Sequence, residues 1–508
     1  MRGLFLAVFA LLIVAGDSGR FSPQLVHNAS AVLNQSKAER QQVNGALAML
    51  WDASMQGSEQ GQSLLLSTFQ NAYNTNFENN SINQEDASYW LEKLVRLENA
   101  DAAWLLYQML GEEGASKRFM RLAAIGDVAE AQLAFAMSSD SPEKREKWLV
   151  RAASQGYVPA QAALADWYLL HGKQQLAKPL LAATAELDMQ SAFKYGRLLW
   201  DEENVDEAKI HFSRAAKLGH QQASRALSVI NRYKQYSPSN LPTISWASVS
   251  STASECLQRI QPFATSLATI IRADSLYNDF VKDTRLSSLP ICIAPPIWLK
   301  NDVLSCSANF KKSGVLGCDV APLAIAAKQR EFSHAVVVSE QGKANVQNGV
   351  MYLDISDAYS VFVHELAHFS GFADEYPIGR GMARKLCDDD GIEDFVPPNI
   401  IVDSEYWYSP HSTVDKWLSI DPATIIAPAK TCIVLGKNSY KPSRRITFME
   451  HHDSGVIPPL YLVLWREQLK KQNTQRPISM NFFQVFHQQG NQKEAAHWLE
   501  EYEAFVGE

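Results

Sequence analysis

A period close to thirty residues runs through the first half of the chain, and it limits the possible folds more than composition does. The segments Leu122-Ala-Ala-Ile-Gly126, Ala152-Ala-Ser-Gln-Gly156, Thr184-Ala-Glu-Leu-Asp188 and Ala215-Ala-Lys-Leu-Gly219 begin 30, 32 and 31 residues apart. Each is followed by a further small residue, at Ala131, Ala160, Ala192 and Ala223. The surrounding sequence is rich in Ala, Leu, Gln and Glu and has no cysteine. Such a unit reads as two helices that cannot bury their apolar faces alone and must stack on their neighbours. Small residues let two helices cross closely, and Trp167, Tyr168, Tyr195 and Trp200 are expected to fill the gaps between repeats. An α-helical repeat domain is therefore expected over residues 17–235, with an irregular helical bundle as the alternative.

The alanine–glycine junctions resemble those of tetratricopeptide-type solenoids, especially the Sel-like subclass. The resemblance implies a concave face that binds peptides or other proteins. A protein partner is expected there, and these residues name none.

The rest of the chain is of another kind. Tyr236-Ser-Pro-Ser-Asn-Leu-Pro242, followed by Ser/Thr-rich sequence to Ser254, reads as a linker over 236–254. Beyond it, Leu289–Ile293, His334–Val338 and Gly349–Ile355 look like strands, and Thr431–Leu435 a further one. A second domain is expected over 255–470. A C-terminal helical segment is expected over 471–508, with Gly490 at its turn and Ala495, Trp498 and Leu499 on one face.

At the N-terminus, Arg2 precedes an apolar run from Leu4 to Ala15, and Val14-Ala15-Gly16 resembles a small-residue cleavage site. Residues 1–16 read as a signal peptide, so the expectation is an exported protein, periplasmic or extracellular, with no stable membrane span after processing. All six cysteines, Cys256, Cys292, Cys306, Cys318, Cys387 and Cys432, fall in the second half. An even count behind a signal peptide suggests disulfides, with Cys306–Cys318 and Cys387–Cys432 the first pairs to consider. No C-x-x-C spacing offers a cysteine metal site. The net charge of −8 and the lack of a basic run argue against nucleic-acid binding.

Chemistry concentrates in His364-Glu365-Leu-Ala-His368-Phe-Ser-Gly371-Phe-Ala-Asp374-Glu375-Tyr376. Positions i and i+4 share one helix face, so both imidazoles reach a single ion. Glu365 stands beside them, where it can take the proton of a water polarised by the metal. A catalytic zinc keeps three protein ligands and an open position. Gly371 can take a positive φ, stop the helix and turn the chain back, making Asp374 the natural third ligand. Glu375, His411, His451 and His452 are the other ligand candidates, and Tyr376 is expected behind the ligands or as a structural residue. Ser356 or Asp357 is expected to cap the helix, and Tyr359, Phe362, Val363, Leu366 and Phe369 to anchor it.

The motif resembles the metzincin arrangement H-E-x-x-H-x-x-G-x-x-H, with Asp374 in place of the last histidine. More narrowly, Ala373-Asp374-Glu375-Tyr376 resembles the corresponding run of bacterial IgA-peptidase-type metallopeptidases. The resemblance covers about residues 330–465. It implies a methionine-containing turn beneath the metal, for which Tyr440–Met449 is the candidate and Met449 the turn methionine. The implied fold is multidomain, an all-α repeat solenoid followed by an α+β zincin-like metallopeptidase domain.

The implied activity is peptide hydrolysis, with zinc on His364, His368 and Asp374 and Glu365 as general base. By the same analogy, an extended protein or peptide substrate would add to a sheet edge formed by residues 349–355, with Tyr440 or Tyr461 donating to the oxyanion. Two other readings remain open: a solenoid binding protein with an inactive or structural zinc domain, and a zinc amidase acting on a cell-wall amide.

Overall fold

The computed structural model describes residues 21–507 apart from 36–37, 78–81, 112–113, 244–255, 302, 331, 388–395 and 404–411. The expected signal peptide, His411 and most of the expected linker lie outside these residues. The chain divides into two compact units, Met1–Ser224 and Arg225–Glu508. Among the described residues, no helix is long and apolar enough to cross a membrane.

The first unit is a helical repeat region. Four helix pairs carry the periodic segments: Lys117–Ile125 with Ala129–Met137, Pro142–Ser154 with Val158–Leu170, Gln174–Thr184 with Met189–Asp201, and Val205–Lys217 with Gln221–Arg232, the last of which runs on past Ser224. Among the described residues, five further helices precede them, from Ser22–Leu33 to Ala100–Leu110. Each small-residue segment ends the first helix of its pair, and the following alanine lies in the second. Ala123, Ala131, Ala152, Ala160, Thr184, Ala192, Ala215 and Ala223 are all fully buried, which places the sequence period at the helix crossings. Trp167, Tyr168 and Tyr195 pack half-buried beside them, with Tyr168 shared by two neighbouring clusters. Side-chain caps start several helices. Asn99 accepts from the amide of Ala102 at 2.9 Å and Asp188 from that of Ser191 at 2.6 Å.

Gly126 shows how tight the crossings are. Its φ of −82° suits any residue, but a Cβ there would collide with the Cβ of Ala100. Gly126→Ala is therefore expected to destabilise the repeat region by about 1–3 kcal/mol through overpacking. Thermal unfolding checks this, and an unchanged midpoint would contradict the close crossing.

The second unit is built on a seven-stranded sheet. Its strands are β1 (Gln235–Tyr236), β2 (Gln258–Ala264), β3 (Ile291–Ile293), β4 (Ile297–Leu299), β7 (His334–Ser339), β8 (Asn345–Gln347) and β9 (Val350–Asp354). A hairpin of β5 (Cys306–Ser307) and β6 (Gly317–Cys318) and a three-stranded sheet of β10 (Ile401–Asp403), β11 (Ala427–Ala429) and β12 (Asn438–Lys441) complete it. The main order is β1-β4-β2-β7-β9-β8, with β3 also on β2. Every pairing is parallel except β8 on β9.

Helices cover both faces, which makes this part α/β rather than the α+β expected. Parallel strands need crossovers, and the crossovers bring the helices. On one face Ala335, Val337, Val350 and Tyr352 meet Ile478, Phe482 and Trp498 of the last two helices, Ile478–Gln488 and Gln492–Val506. The C-terminal segment thus belongs to this core. On the other face lie the helices Leu267–Lys282 and Tyr359–His368.

Three expectations are corrected. Residues 350–352 are not a sheet edge: there β9 runs between β7 and β8, and β8 is the outer strand, while Leu353 and Asp354 pair with β7 alone. Thr431–Leu435 is not a strand. It is the loop joining β11 to β12, with a 3₁₀ turn at Ile433–Leu435 closed by Gly436. Neither Ser356 nor Asp357 caps the helix Tyr359–His368, whose N-cap is Ala358 without a side-chain bond. Both serve the preceding turn instead, Ser356 donating to Asp354 at 2.6 Å and Asp357 accepting from the Asp354 amide at 2.7 Å.

All six cysteines pair, as Cys256–Cys292, Cys306–Cys318 and Cys387–Cys432. Such bonds persist in oxidising compartments.

His334 gives this core a pH dependence. It is fully buried on β7, its Nδ1 lies 2.9 Å from the Ser333 hydroxyl, and its Nε2 has no partner. Burial pulls the imidazole down to about 3. A histidine held neutral in the fold but free to charge when unfolded weakens the fold as pH drops below its unfolded value. Stability is expected to fall by about 1.4 kcal/mol per pH unit from about 6.5 towards 3. Urea titrations of wild type and His334→Gln check this, and parallel pH profiles would refute it.

Candidate metal centre

The helix Tyr359–His368 packs its apolar anchors Phe362, Val363 and Leu366 inward. His364 and His368 follow one turn apart and meet edge to face, ring centroids 4.8 Å apart. At the C-terminus, Gly371 stands at φ 78°, its amide donating to His368 and that of Phe372 to Ala367. This left-handed stop reverses the chain. Asp374 comes back over the imidazoles.

The three donor atoms converge. Asp374 Oδ1 lies 3.0 Å from His364 Nε2 and 3.2 Å from His368 Nε2, and the two Nε2 atoms are 3.2 Å apart. Two ligands of a tetrahedral ion with bonds near 2.1 Å stand about 3.4 Å apart, so the triangle fits zinc. Tautomers agree. His364 Nδ1 lies 2.8 Å from the Phe448 carbonyl and His368 Nδ1 2.8 Å from the Phe372 carbonyl. A carbonyl only accepts, so each Nδ1 carries the proton and each Nε2 presents a lone pair. Asp374 Oδ1 is buried with no hydrogen-bond donor. Three lone pairs facing one point call for a cation among them. No other group of three or more His, Cys, Asp or Glu residues among the described residues could hold an ion.

The electrostatics follow. Without a cation, a proton on His368 Nε2 takes that place: attraction to Asp374 outweighs burial, raising the imidazole to about 9 and holding the carboxyl below the usual range. Glu365, between the two histidines in sequence, is buried, and that burial raises its carboxyl above the ordinary value despite both imidazoles. A base raised in this way accepts a proton more readily near neutral pH.

Glu375 is not a ligand. It turns inward, fully buried, and accepts from Tyr461 at 2.6 Å, from Asn399 at 3.1 Å and from Lys441 at 3.0 Å, with Thr447 as a further donor. Lys441 also pairs with Glu450. This excludes Tyr461 as an oxyanion donor, since its hydroxyl is enclosed and engaged. Tyr440 sits on β12, paired with Ile401 and Pro428. His452 is held by Asp453 at 2.9 Å, and neither it nor His451 joins the triad.

Met449 is fully buried in a turn that grips the centre through its backbone. The Phe448 carbonyl holds His364 and the Met449 carbonyl takes the Glu375 amide at 3.0 Å. Beneath, Phe448 stacks on Trp465 at 5.9 Å, and the indole donates to Ser370 at 2.9 Å. The residues that sequence reasoning missed are thus backbone acceptors and the Glu375 partners. Lys441 stood in the segment suspected of forming the turn, yet nothing local marks a lysine for burial.

No family model matches the sequence, and no curated protein matches it. Among solved structures, a protective antigen present in uropathogenic Escherichia coli strains and displaying an SLR fold is 18% identical, over 41% of this chain and 47% of its own, with a TM-score of 0.30. This chain therefore spans about half the length of that protein. A Sel1 repeat protein from Oxalobacter formigenes is 11% identical over 45% of this chain and 93% of its own, with a TM-score of 0.24. MamA is 16% identical over 28% of this chain and 93% of its own, with a TM-score of 0.22.

Proposed function

We propose that this chain is an exported zinc-dependent metallopeptidase that carries a Sel-like repeat region for binding a protein partner. The observation that supports it most is the meeting of His364, His368 and Asp374 around one point, with Glu365 buried beside them. A structural zinc would prefer four ligands and has no use for a base, whereas three ligands leave a place for reaction. The chemistry a bound ion supplies there is polarisation of the scissile carbonyl and of the attacking water.

Glu365 takes the proton as the water oxygen adds to the carbonyl carbon. It then returns that proton to the nitrogen as the C–N bond breaks. The Phe448 and Phe372 carbonyls hold the imidazoles in their ligand tautomer throughout. An extended substrate would lie along β8, the outer strand beside the metal helix, through main-chain hydrogen bonds.

Export is supported by the leader-like residues 1–16 and the three disulfides. The test is metal analysis of the purified protein together with cleavage of casein with and without chelator. Stoichiometric zinc and chelator-sensitive cleavage are expected. Protein without a stoichiometric transition metal would overturn the reading.

A further inference from the structure

We propose that Tyr376 is a catalytic residue of this centre, its phenol donating a hydrogen bond to the oxygen that gains negative charge at the scissile carbonyl. This rests on the peptidase reading above and adds a residue whose role the motif leaves open.

The argument begins with three consecutive side chains. Asp374 joins the triad, Glu375 turns into the buried network, and Tyr376 returns to the side of the metal ligands. Its ring lies nearly parallel to the His364 imidazole, with an interplanar angle of 19° and centroids 6.1 Å apart. The charges of Asp374 and Glu365 both reach its hydroxyl. The phenol therefore stands beside the His364 imidazole, within the field of both carboxylates. Tyr376 is also 39% exposed, so it stands on the side a substrate approaches. Lys441 and Tyr461, by contrast, are enclosed and committed to Glu375.

The chemistry suits the place. A phenol is protonated near neutral pH and can donate one hydrogen bond. In the absence of substrate the hydroxyl lies under the influence of Asp374. When Asp374 serves as a metal ligand, the same hydroxyl can turn to the substrate's developing oxyanion. A donor aimed at charge that appears only in the transition state speeds the reaction without tightening substrate binding.

Tyr376→Phe tests this, because it keeps the ring and removes only the hydroxyl. The variant is expected to hold stoichiometric zinc and to melt with wild type. Its kcat for casein peptides should fall by about 10²-fold, with KM within about twofold. Binding of a phosphinic peptide library, whose tetrahedral anion mimics the charged state, should weaken by a similar factor. Wild-type kcat and phosphinic-peptide affinity in Tyr376→Phe would refute the assignment alone. Loss of zinc from the variant would refute it too, by showing that the hydroxyl serves only to place Asp374. Wild-type protein that holds zinc but leaves casein intact would refute the peptidase reading, and this assignment with it.

Discussion

Glu365→Gln is expected to reduce peptide cleavage by at least about 10²-fold, and up to about 10⁴-fold, while leaving zinc content and melting temperature near wild type. The amide has nearly the volume of the carboxylate, so the metal helix keeps its packing. Glutamine cannot accept the proton of the attacking water, and that is the loss the assay reads. Burial raises the proton affinity of the Glu365 carboxyl despite His364 and His368, and the amide has no such affinity to raise. Paired measurement of metal content and kcat separates the outcomes. A variant that keeps zinc and wild-type turnover would exclude Glu365 as the base. A variant that loses zinc would show that the residue supports the ligands.

Glu375→Ala is expected to cost about 3–5 kcal/mol and to empty the metal site, although the residue touches no metal. Its carboxylate is fully buried and satisfies Asn399, Lys441, Thr447 and Tyr461 together. Removing it leaves Lys441 in the interior with only Glu450 and the Arg445 carbonyl, and strands three neutral donors. Its backbone also sits between Met449 and Lys430, so the loop that presents Asp374 slackens with the network. Denaturant unfolding reads the stability and metal analysis reads the site. Glu375→Gln should be milder, because it keeps acceptors for part of the network. A stable, zinc-loaded alanine variant would show that the network does not position Asp374.

These two residues also mark what a single sequence can tell. The meeting of His364, His368 and Asp374 was legible because its geometry is local: two histidines one turn apart, a helix stop and a return within eleven residues. The repeats were legible because their period recurs where alanines meet. The Glu375 partners were not, since they lie 24, 66, 72 and 86 residues away. Strand order was hidden for a similar reason. The apolar run at 350–354 suits an edge or an interior position, and only the pairing of β8 and β7 around it decides. At Thr431–Leu435 the pattern misled, because apolar residues on a hairpin loop look like a strand until Ile433 and Val434 are seen at the surface.

The bond between Cys387 and Cys432 has a consequence beyond fastening a loop. Cys432 follows Thr431, whose hydroxyl donates to the Asp374 carbonyl at 2.7 Å. The bond closes a span of 45 residues, worth about 4 kcal/mol in the chain-entropy account. The oxidation state of two sulfurs therefore bears on how firmly the carboxylate of the His364–His368–Asp374 cluster is held. Thiols left unpaired during synthesis would leave that carboxylate loosely tethered. On the proposed reading, completion of the centre would follow formation of this bond.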